Sequence, residues 1–234
     1  RTTSTISFEP VTETYWADMG KVWPSGHQQA GEPIMLRDYQ VDAINKFLTN
    51  TQALQEIATG AGKTITTATL SHLAEKYGRT ITIVPNKSLV EQTEEDFINV
   101  GLDVGVYYGD RKNLDKTHTI CTWQSLNIFD KKSKNHEYAI MSLAEFLADV
   151  KTVIVDEVHM AKADVLKNLL TQNLCNAPVR WGLTGTVPKG DYESEPIFAS
   201  IGPVVDGIKA HELQEKGVLS NCHVNVVQMI DLPE

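Results

Sequence analysis

The sequence predicts an α/β domain built on a mostly parallel, twisted sheet with helices on both faces. Short apolar runs of about four to six residues alternate with helical patterns from Leu36 onward. A glycine-rich stretch joins one of these runs to a helix, and another run ends in two adjacent carboxylates. Because strands that alternate with helices form βαβ units, we expect a parallel sheet between two helical layers. Its ligands should bind at the carboxyl ends of the strands.

Each element follows from its own pattern. Val41, Ile44, Phe47 and Leu48 lie at helical spacing and predict a helix that ends near Asn50. The predicted strands are ALQEIA (53–58), TITIVP (80–85), VGVYY (104–108), THTICT (117–122), KTVIVDE (151–157) and VRWGLTGT (179–186). The predicted helices between them are 63–77, 88–100, 142–150 and 163–174, and the stretch 211–230 predicts one more helix and a last strand.

Local signals refine these elements. The pairs Ser88/Glu91 and Ser142/Glu145 have capping-box spacing and predict two helix starts. The charged stretch FDKKSKNHEY (129–138) predicts a solvated loop. Residues 1–33 are polar and irregular, and we interpret them as a lead-in that packs as an extension of a domain spanning 34–234.

Composition limits the functional classes. The net charge of −9 argues against a polycation that coats nucleic acid by bulk charge, although a local basic groove remains possible. The chain contains Cys121, Cys175 and Cys222 without a C-x-x-C pair, which indicates neither a disulfide framework nor a zinc site. No apolar run reaches the length of about 18 residues that a membrane span needs. We therefore expect a soluble, cytoplasmic protein.

The stretch ATGAGKT (58–64) has the chemistry of a phosphate-binding loop. Gly60 and Gly62 allow a tight turn whose amides point at an anion, and the following helix adds its positive end. Lys63 would reach the β- and γ-phosphates, and the Thr64 hydroxyl would hold Mg²⁺. The strict pattern G-x-x-x-x-G-K-[ST] requires glycine where this chain has Ile57. The alternative is a glycine-rich turn with an exposed lysine.

The strand that ends at Asp156 supplies the expected partners of this loop. Asp156 is the candidate for holding Mg²⁺, and Glu157 is the candidate base that orients and deprotonates the attacking water. An acidic pair at a strand end is also common as a solvated edge. About 90 residues after a G-K-T turn in an α/β chain, however, the pair predicts a nucleotide site.

Six motifs in order resemble those of superfamily 2 helicases. They are LRDYQ (36–40), ATGAGKT (58–64), IVPNKSLVEQ (83–92), CTWQSL (121–126), DEVH (156–159) and GLTGT (182–186). In that family the phosphate loop has the form x-T-G-x-G-K-T, so Ile57 is no departure. The DExH box and the TWQS motif are most similar to the UvsW-type DNA helicases of T4-like phages, and more distantly to the XPB and restriction-translocase groups.

The resemblance implies a RecA-like P-loop NTPase domain that uses ATP and Mg²⁺. It implies adenine recognition by Gln40 with Arg37 beside it, phosphate binding by Thr59, Gly60, Ala61, Gly62, Lys63 and Thr64, and catalysis by Lys63, Asp156, Glu157 and His159. An upstream aromatic, Trp23, is a further candidate for the base. The DNA backbone would contact Pro85, Asn86, Lys87, Thr122, Trp123 and Gln124, although Trp123 also fits as a core residue. Thr184 and Thr186 would couple the γ-phosphate state, sensed through His159, to DNA.

The resemblance also implies that this chain is one half of a motor. Superfamily 2 enzymes hydrolyse ATP between two RecA-like domains, and the second carries arginine fingers. No arginine follows Thr186 here, and residue 1 is Arg rather than Met, so we expect a first motor domain whose hydrolysis needs a second one. The leading interpretation is an ATP-dependent DNA helicase or translocase in phage replication, recombination or repair, which would act in the cytoplasm of the bacterial host if a phage encodes it. An RNA helicase and an ATP-binding translocase subunit of a restriction-type complex remain alternatives, while a nuclease is disfavoured because no second carboxylate-rich group is present.

Overall fold

The computed structural model describes residues 5–186 and 191–220, and within them the strands form one eight-stranded sheet with the order β4-β3-β5-β2-β6-β7-β1-β8. The short β4 pairs antiparallel to β3, and the other neighbours are parallel. The sequence-based prediction of a mostly parallel α/β sheet is therefore confirmed. The strands are β1 (Gln52–Ile57), β2 (Arg79–Val84), β3 (Val104–Tyr108), β4 (Arg111–Lys112), β5 (His118–Thr122), β6 (Val150–Asp156), β7 (Val179–Thr184) and β8 (Val204–Ile208).

Helices cover both faces of this sheet. They are α1 (Tyr15–Asp18), α2 (Asp38–Thr49), α3 (Lys63–Ala74), α4 (Lys87–Asn99), α5 (Trp123–Lys134), α6 (Leu143–Leu147), α7 (Ala163–Asn168), α8 (Asp191–Ser200) and α9 (Ala210–Glu215). Phe47 of α2, Leu70 of α3 and Phe97 of α4 belong to one apolar cluster. Leu126 of α5 and Phe146 of α6 belong to a second. Two packed layers on a parallel sheet explain why most residues of its central strands are buried.

The N-terminal segment packs onto the first of these layers. The Trp16 side chain is fully buried, and its Nε1–H donates a hydrogen bond of 2.9 Å to the Thr69 hydroxyl on α3. The Val11 amide donates to Asn45 Oδ1 on α2, at 2.8 Å. Sequence periodicity gave no signal for this packing because the anchoring residues are single aromatic and apolar side chains in irregular backbone.

A buried polar network lies under the same layer. His118 at the start of β5 is fully buried, and its Nδ1 lies 2.7 Å from the Ser71 hydroxyl and 2.9 Å from the Thr80 hydroxyl. His118 Nε2 lies 2.7 Å from Glu75 Oε2. Every polar atom of the imidazole therefore has a partner, as a buried histidine requires.

The structure corrects four local expectations. The stretch 129–138 is not a loop throughout, because α5 continues to Lys134 with its own N-cap at Thr122. The cap of α4 is Asn86, two residues before the predicted cap at Ser88, since the Asn86 side chain accepts a hydrogen bond from the Leu89 amide. The predicted helix at 163–174 is a short α-helix followed by a π-helical segment, Leu169–Asn173.

The fourth correction concerns the chain end. The predicted helix there is limited to α9, and the predicted last strand lies outside the described residues. By contrast, the capping box of Ser142 and Glu145 is present at the start of α6. No helix in the described part of the chain has the length and apolarity needed to span a membrane.

Candidate nucleotide-binding and catalytic site

The glycine-rich loop connects the carboxyl end of β1 to the amino end of α3. Gly60 and Gly62 have φ angles of +88° and +71°, in the left-handed region that favours glycine. A Cβ atom at Gly62 would lie 2.5 Å from Gln40 Nε2, so a side chain there would have to displace the Gln40 amide. The loop thus leads into the first turn of α3, where free backbone amides and the helix dipole favour an anion.

Lys63 points from this helix start to the two carboxylates that follow β6. Its Nζ contacts Glu157 Oε1 and lies 3.8 Å from Asp156 Oδ1. The three side chains are between 3% and 13% exposed, so they form a charged group largely removed from water. Sequence reasoning predicted that these residues meet, because β6 and β1 both end at the same edge of the sheet.

Glu157 connects three motifs. Its backbone has φ 49° and ψ 54°, a left-handed conformation that is rare for a residue other than glycine. In this conformation Oε1 contacts Lys63, while Oε2 accepts a hydrogen bond of 3.3 Å from the Gly185 amide. Oε2 also lies 3.4 Å from His159 Nδ1. Such an unusual backbone conformation, surrounded by polar partners, is typical of functional sites.

Burial governs the protonation of this group. It raises the pKa of the Asp156 carboxyl, against the opposing effect of Lys63 and His159. Burial lowers the pKa of the Lys63 ammonium, and the nearby Asp156 opposes this shift. Burial and the positive charge of Lys63 both lower the pKa of His159. Desolvation therefore works against each charge, and the neutral imidazole of His159 is favoured at neutral pH.

His159 continues the connection to the end of β7. Its Nδ1 lies 2.6 Å from the Thr184 hydroxyl, and that hydroxyl donates a bond of 2.7 Å to the Thr186 carbonyl. Because a hydroxyl has one hydrogen to donate, His159 is the donor in this pair. The predicted coupling residues Thr184 and Thr186 are thus in direct contact with each other, and Thr184 is in contact with His159.

Thr64 has a partner that the motifs do not contain. Its hydroxyl donates to Asp96 Oδ2, on the last turn of α4. Thr64 and Asp156, the two residues expected to hold Mg²⁺, form no hydrogen bond with each other in the described part of the chain. Asp156 Oδ1 instead accepts a bond of 2.9 Å from the Glu157 amide.

The residues expected at the base lie around a cavity of about 400 Å³ next to the loop. Gln40 is 5% exposed, and its amide donates to the Ala61 and Gly62 carbonyls, at 3.1 and 3.3 Å. Its Oε1 accepts from the Arg37 amide, at 2.9 Å. Gln40 therefore stabilises the phosphate loop through these hydrogen bonds. To bind a base, the Gln40 amide must break them and pair with the base instead.

Aromatic and basic side chains line the outer part of this cavity. Trp23 stacks on His27, with 4.1 Å between ring centroids and 7° between ring planes. The Arg37 guanidinium is exposed and donates to the Tyr39 hydroxyl, at 3.0 Å. A stacked pair at the rim of a cavity offers a planar surface for a base.

The oxygen ligands present here fit Mg²⁺. Asp156 and Thr64 supply a carboxylate and a hydroxyl, the ligand types that Mg²⁺ prefers. Within the described ranges no group of three or more His, Cys, Asp or Glu side chains could hold a metal alone. A site of this kind needs substrate phosphates to complete the coordination, as Mg²⁺ sites in nucleotide enzymes usually do.

Comparison with protein families matches residues 33–189, more than half of the chain, to the family described as type III restriction enzyme, res subunit. The chain belongs to this family. The resemblance to superfamily 2 helicases is thereby confirmed. The matched region contains every motif of the site described above.

Relatives and solved structures agree with this assignment. The chain is 26% identical over 200 residues to a protein named putative DNA 3'-5' helicase Rad25 from Haloarcula marismortui, covering 82% of this chain and 29% of that protein. It is 22% identical to the ATP-dependent DNA helicase UvsW of Enterobacteria phage T4, covering 81% of this chain and 37% of that protein. The chain thus spans about a third of the length of these relatives. The crystal structure of the bacteriophage T4 UvsW helicase superposes with a TM-score of 0.65 at 19% identity, covering 86% of this chain and 69% of that chain, which confirms the fold.

The residues predicted to contact nucleic acid gather at the ends of two neighbouring strands. Val84 of β2 is paired with Thr122 of β5, and Gln124 Nε2 lies 3.5 Å from the Pro85 carbonyl. The Thr122 side chain caps α5, just as Asn86 caps α4. Two helix amino ends therefore lie side by side at the same edge, and each offers free amides to a phosphate.

The side chains at this edge differ in what they can contact. Lys87 and Gln124 are exposed, and Lys87 lies 3.7 Å from Glu91. Trp123 is half-buried among apolar side chains, and its buried Nε1 has no hydrogen-bond partner among the described residues. Trp123 thus has a core face, as the alternative interpretation predicted, and one unused donor.

Sequence reasoning missed three residues of this site. Asp96 belongs to none of the motifs. In the sequence it is only a polar residue close to Thr93, Phe97 and Val100, which are buried. Gly185 contributes a backbone amide, which no residue pattern shows directly. The third is Leu219, which follows α9. It lies so close to Gly60 that a Cβ atom added there would be 2.6 Å from Leu219 Cδ2.

Proposed function

We propose that this chain is the ATP-binding motor domain of an ATP-dependent DNA helicase or translocase. The observation that carries the proposal is the contact network of Glu157, which joins the phosphate-loop lysine, the DExH histidine and the amide that follows β7. This network connects the residues of nucleotide chemistry to the Thr184 and Thr186 segment. The names of the relatives support DNA as the polymer.

In this proposal the residues act in sequence on ATP. Lys63 binds the β- and γ-phosphates, and phosphate oxygens replace Glu157 as its partner. Glu157 is then free to orient and deprotonate the attacking water. Asp156 and Thr64 hold Mg²⁺, which supplies positive charge at the phosphate oxygens when bound. Gln40, Arg37 and the stacked Trp23 recognise the base.

In this proposal, coupling to DNA depends on the contacts of the second carboxylate oxygen of Glu157, Oε2. His159 and Gly185 contact its Oε2, and His159 contacts Thr184. A change in the position of Glu157 on phosphate binding therefore alters the hydrogen bonds at the end of β7. We propose that the edge formed by the starts of α4 and α5 binds the DNA backbone through Lys87, Gln124 and backbone amides, without reading sequence.

We further propose that a second RecA-like domain of the full-length protein completes the catalytic site, and that the protein works in the cytoplasm. The aligned region is only 29% and 37% of the two relatives' lengths, which supports a second domain. An arginine finger is worth roughly 10³ to 10⁵ in rate in related phosphoryl transfer. The 234-residue chain should therefore bind ATP·Mg but hydrolyse it very slowly.

The test compares ATP turnover by the 234-residue chain and by the full-length protein, each with single-stranded DNA, forked DNA and RNA. We expect DNA to stimulate the full-length protein and to leave the short chain slow. Full DNA-dependent turnover by the short chain would contradict the two-domain proposal. Stronger stimulation by RNA than by DNA would favour an RNA helicase.

A second candidate function follows from the family match. The matched family is that of a restriction-enzyme subunit. The same domain would then drive translocation within a complex whose companion subunits cut DNA. Purification of the full-length protein from its native source separates the two, because a restriction-type role requires stable association with a nuclease or methyltransferase subunit.

A further inference from the structure

The Thr64 hydroxyl is held by a carboxylate from outside the helicase motifs. Thr64 is buried at the second position of α3, and its Oγ1 donates a hydrogen bond to Asp96 Oδ2. Asp96 lies 32 residues away, on the last turn of α4. Nothing in the proposed reaction yet uses this residue.

Helix packing places Asp96 at this position. Helices α3 and α4 lie against each other on one face of the sheet, and Thr93, Phe97 and Val100 of α4 are buried in that layer. Asp96 comes three residues after Thr93 and one before Phe97, so it lies at the margin of the buried stripe that faces α3. Its position is therefore fixed by the packing of its neighbours.

The hydrogen bond to Asp96 determines which part of the Thr64 hydroxyl remains available to a ligand. A threonine hydroxyl has one hydrogen to donate and two lone pairs to offer. Here the hydrogen points to Asp96, so the lone pairs remain free for a cation. In the described part of the chain this hydrogen goes to Asp96 and not to Asp156, whose Oδ1 accepts from the Glu157 amide and lies 3.8 Å from Lys63.

We propose that Asp96 is a positioning residue for Thr64: its carboxylate accepts the hydrogen bond of the Thr64 hydroxyl and thereby directs an oxygen lone pair at the Mg²⁺ of a bound nucleotide. The inference rests on the proposed function and adds a residue to its metal site. Partners of this kind orient metal ligands and increase their basicity, and their removal commonly costs 10- to 100-fold in metal affinity.

The test measures binding of the fluorescent, non-hydrolysable analogue mant-AMPPNP to the 234-residue chain, in Mg²⁺ and separately in EDTA. For Asp96→Ala we expect binding to weaken about 10- to 100-fold in Mg²⁺. In EDTA we expect no weakening, since the change removes a negative charge from the vicinity of the phosphates. A loss that came from misfolding would weaken binding under both conditions.

Two control variants sharpen the result. Glu95→Gln removes an equal charge from the adjacent, exposed position of α4 and should leave both affinities unchanged. Thr64→Val removes the metal ligand itself. If Asp96 acts through Thr64, adding Asp96→Ala to Thr64→Val should cause no further loss, because coupled residues are not additive.

The outcomes separate this inference from the function on which it rests. Wild-type binding together with unchanged Mg²⁺-dependent affinity in Asp96→Ala overturns the inference alone. Equal losses with and without Mg²⁺ also overturn it, because they indicate a structural role. If the wild-type chain binds no nucleotide in either condition, both the inference and the proposed function fall.

Discussion

His159 Nδ1 lies 2.6 Å from the Thr184 hydroxyl, so one hydrogen bond joins the segment that follows β6 to the end of β7. The carboxylate of Glu157 lies 3.4 Å from the same nitrogen. His159 therefore stands between the acidic residue expected to act on water and the segment expected to respond to DNA. This position agrees with the sensing role that the resemblance implies.

The first prediction concerns this hydrogen bond. Thr184→Val removes the hydroxyl but keeps the shape of the side chain. We expect ATP binding by the full-length protein to change less than about threefold, while DNA stimulation of its ATPase falls at least about fivefold, because one buried hydrogen bond is worth about 1 kcal/mol or more. The measurement is ATPase rate against DNA concentration.

Thr184→Ser is the matched control, since it keeps the hydroxyl and should retain stimulation. Stimulation that survives intact in Thr184→Val would show that the signal does not pass through His159 and Thr184.

The second prediction concerns Glu157. Glu157→Gln keeps the size of the side chain and removes its basicity. We expect the full-length protein to bind ATP with near-normal affinity and to lose roughly 10² to 10⁴ in hydrolysis rate, the usual contribution of a general base. Rapid-quench measurement of a single turnover separates the two effects. Glu137→Gln, at an exposed position, is the control and should hydrolyse ATP normally.

The sequence was sufficient to predict most of this site. Lys63, Asp156 and Glu157 could be placed together because parallel strands carry their following loops to one edge of the sheet. The carboxyl ends of β1, β6 and β7 are neighbours in the structure, as this argument requires. The detailed partners could not be predicted, because they depend on side-chain rotamers and on the left-handed backbone of Glu157.

The third prediction concerns the N-terminal segment. Trp16 is fully buried against α3, so Trp16→Ala removes a large apolar side chain and leaves Thr69 without its donor. We expect the free energy of unfolding to fall by about 3 to 5 kcal/mol. Urea denaturation of the 234-residue chain measures this change. Exposed Met19→Ala is the control, and a similar stability of Trp16→Ala and wild type would show that the segment is not part of the domain core.

The fourth prediction concerns pH. Burial lowers the pKa of His118, against the opposing effect of Glu75. The unfolded chain, with a histidine pKa of about 6.5, therefore binds more protons than the folded chain as the pH falls through that value. The contribution of His118 to stability is present above about pH 6.5 and is lost on acidification.

His118→Asn should flatten this dependence between about pH 7 and pH 5.5, as measured by urea denaturation at several pH values. His211→Gln, at an exposed position, should leave the profile of the wild type unchanged. A profile of His118→Asn as steep as that of the wild type would mean that other groups cause the acid sensitivity.

Sequence reasoning was least successful where charge and packing compete. The stretch 129–138 was predicted as a loop from its lysines, yet Leu126 and Phe129 bury one side of α5 while Lys131, Lys132 and Lys134 remain in its last turn. Cations are favourable at the carboxyl end of a helix, so the same charges stabilise the element that they seemed to exclude. Asp96 was missed for a similar reason, since one polar residue in an amphipathic helix gives no signal without its partner.

The central claim is that Lys63 binds the phosphates of a nucleotide, and the most direct measurement is the affinity of the wild-type and Lys63→Ala chains for ATP·Mg by calorimetry. Lys46→Ala, which removes an exposed lysine paired with Asp206, is the control. We predict that Lys63→Ala loses at least tenfold in affinity while Lys46→Ala binds as the wild type does. Unchanged binding of ATP·Mg by Lys63→Ala would contradict the phosphate site and the motor function built on it.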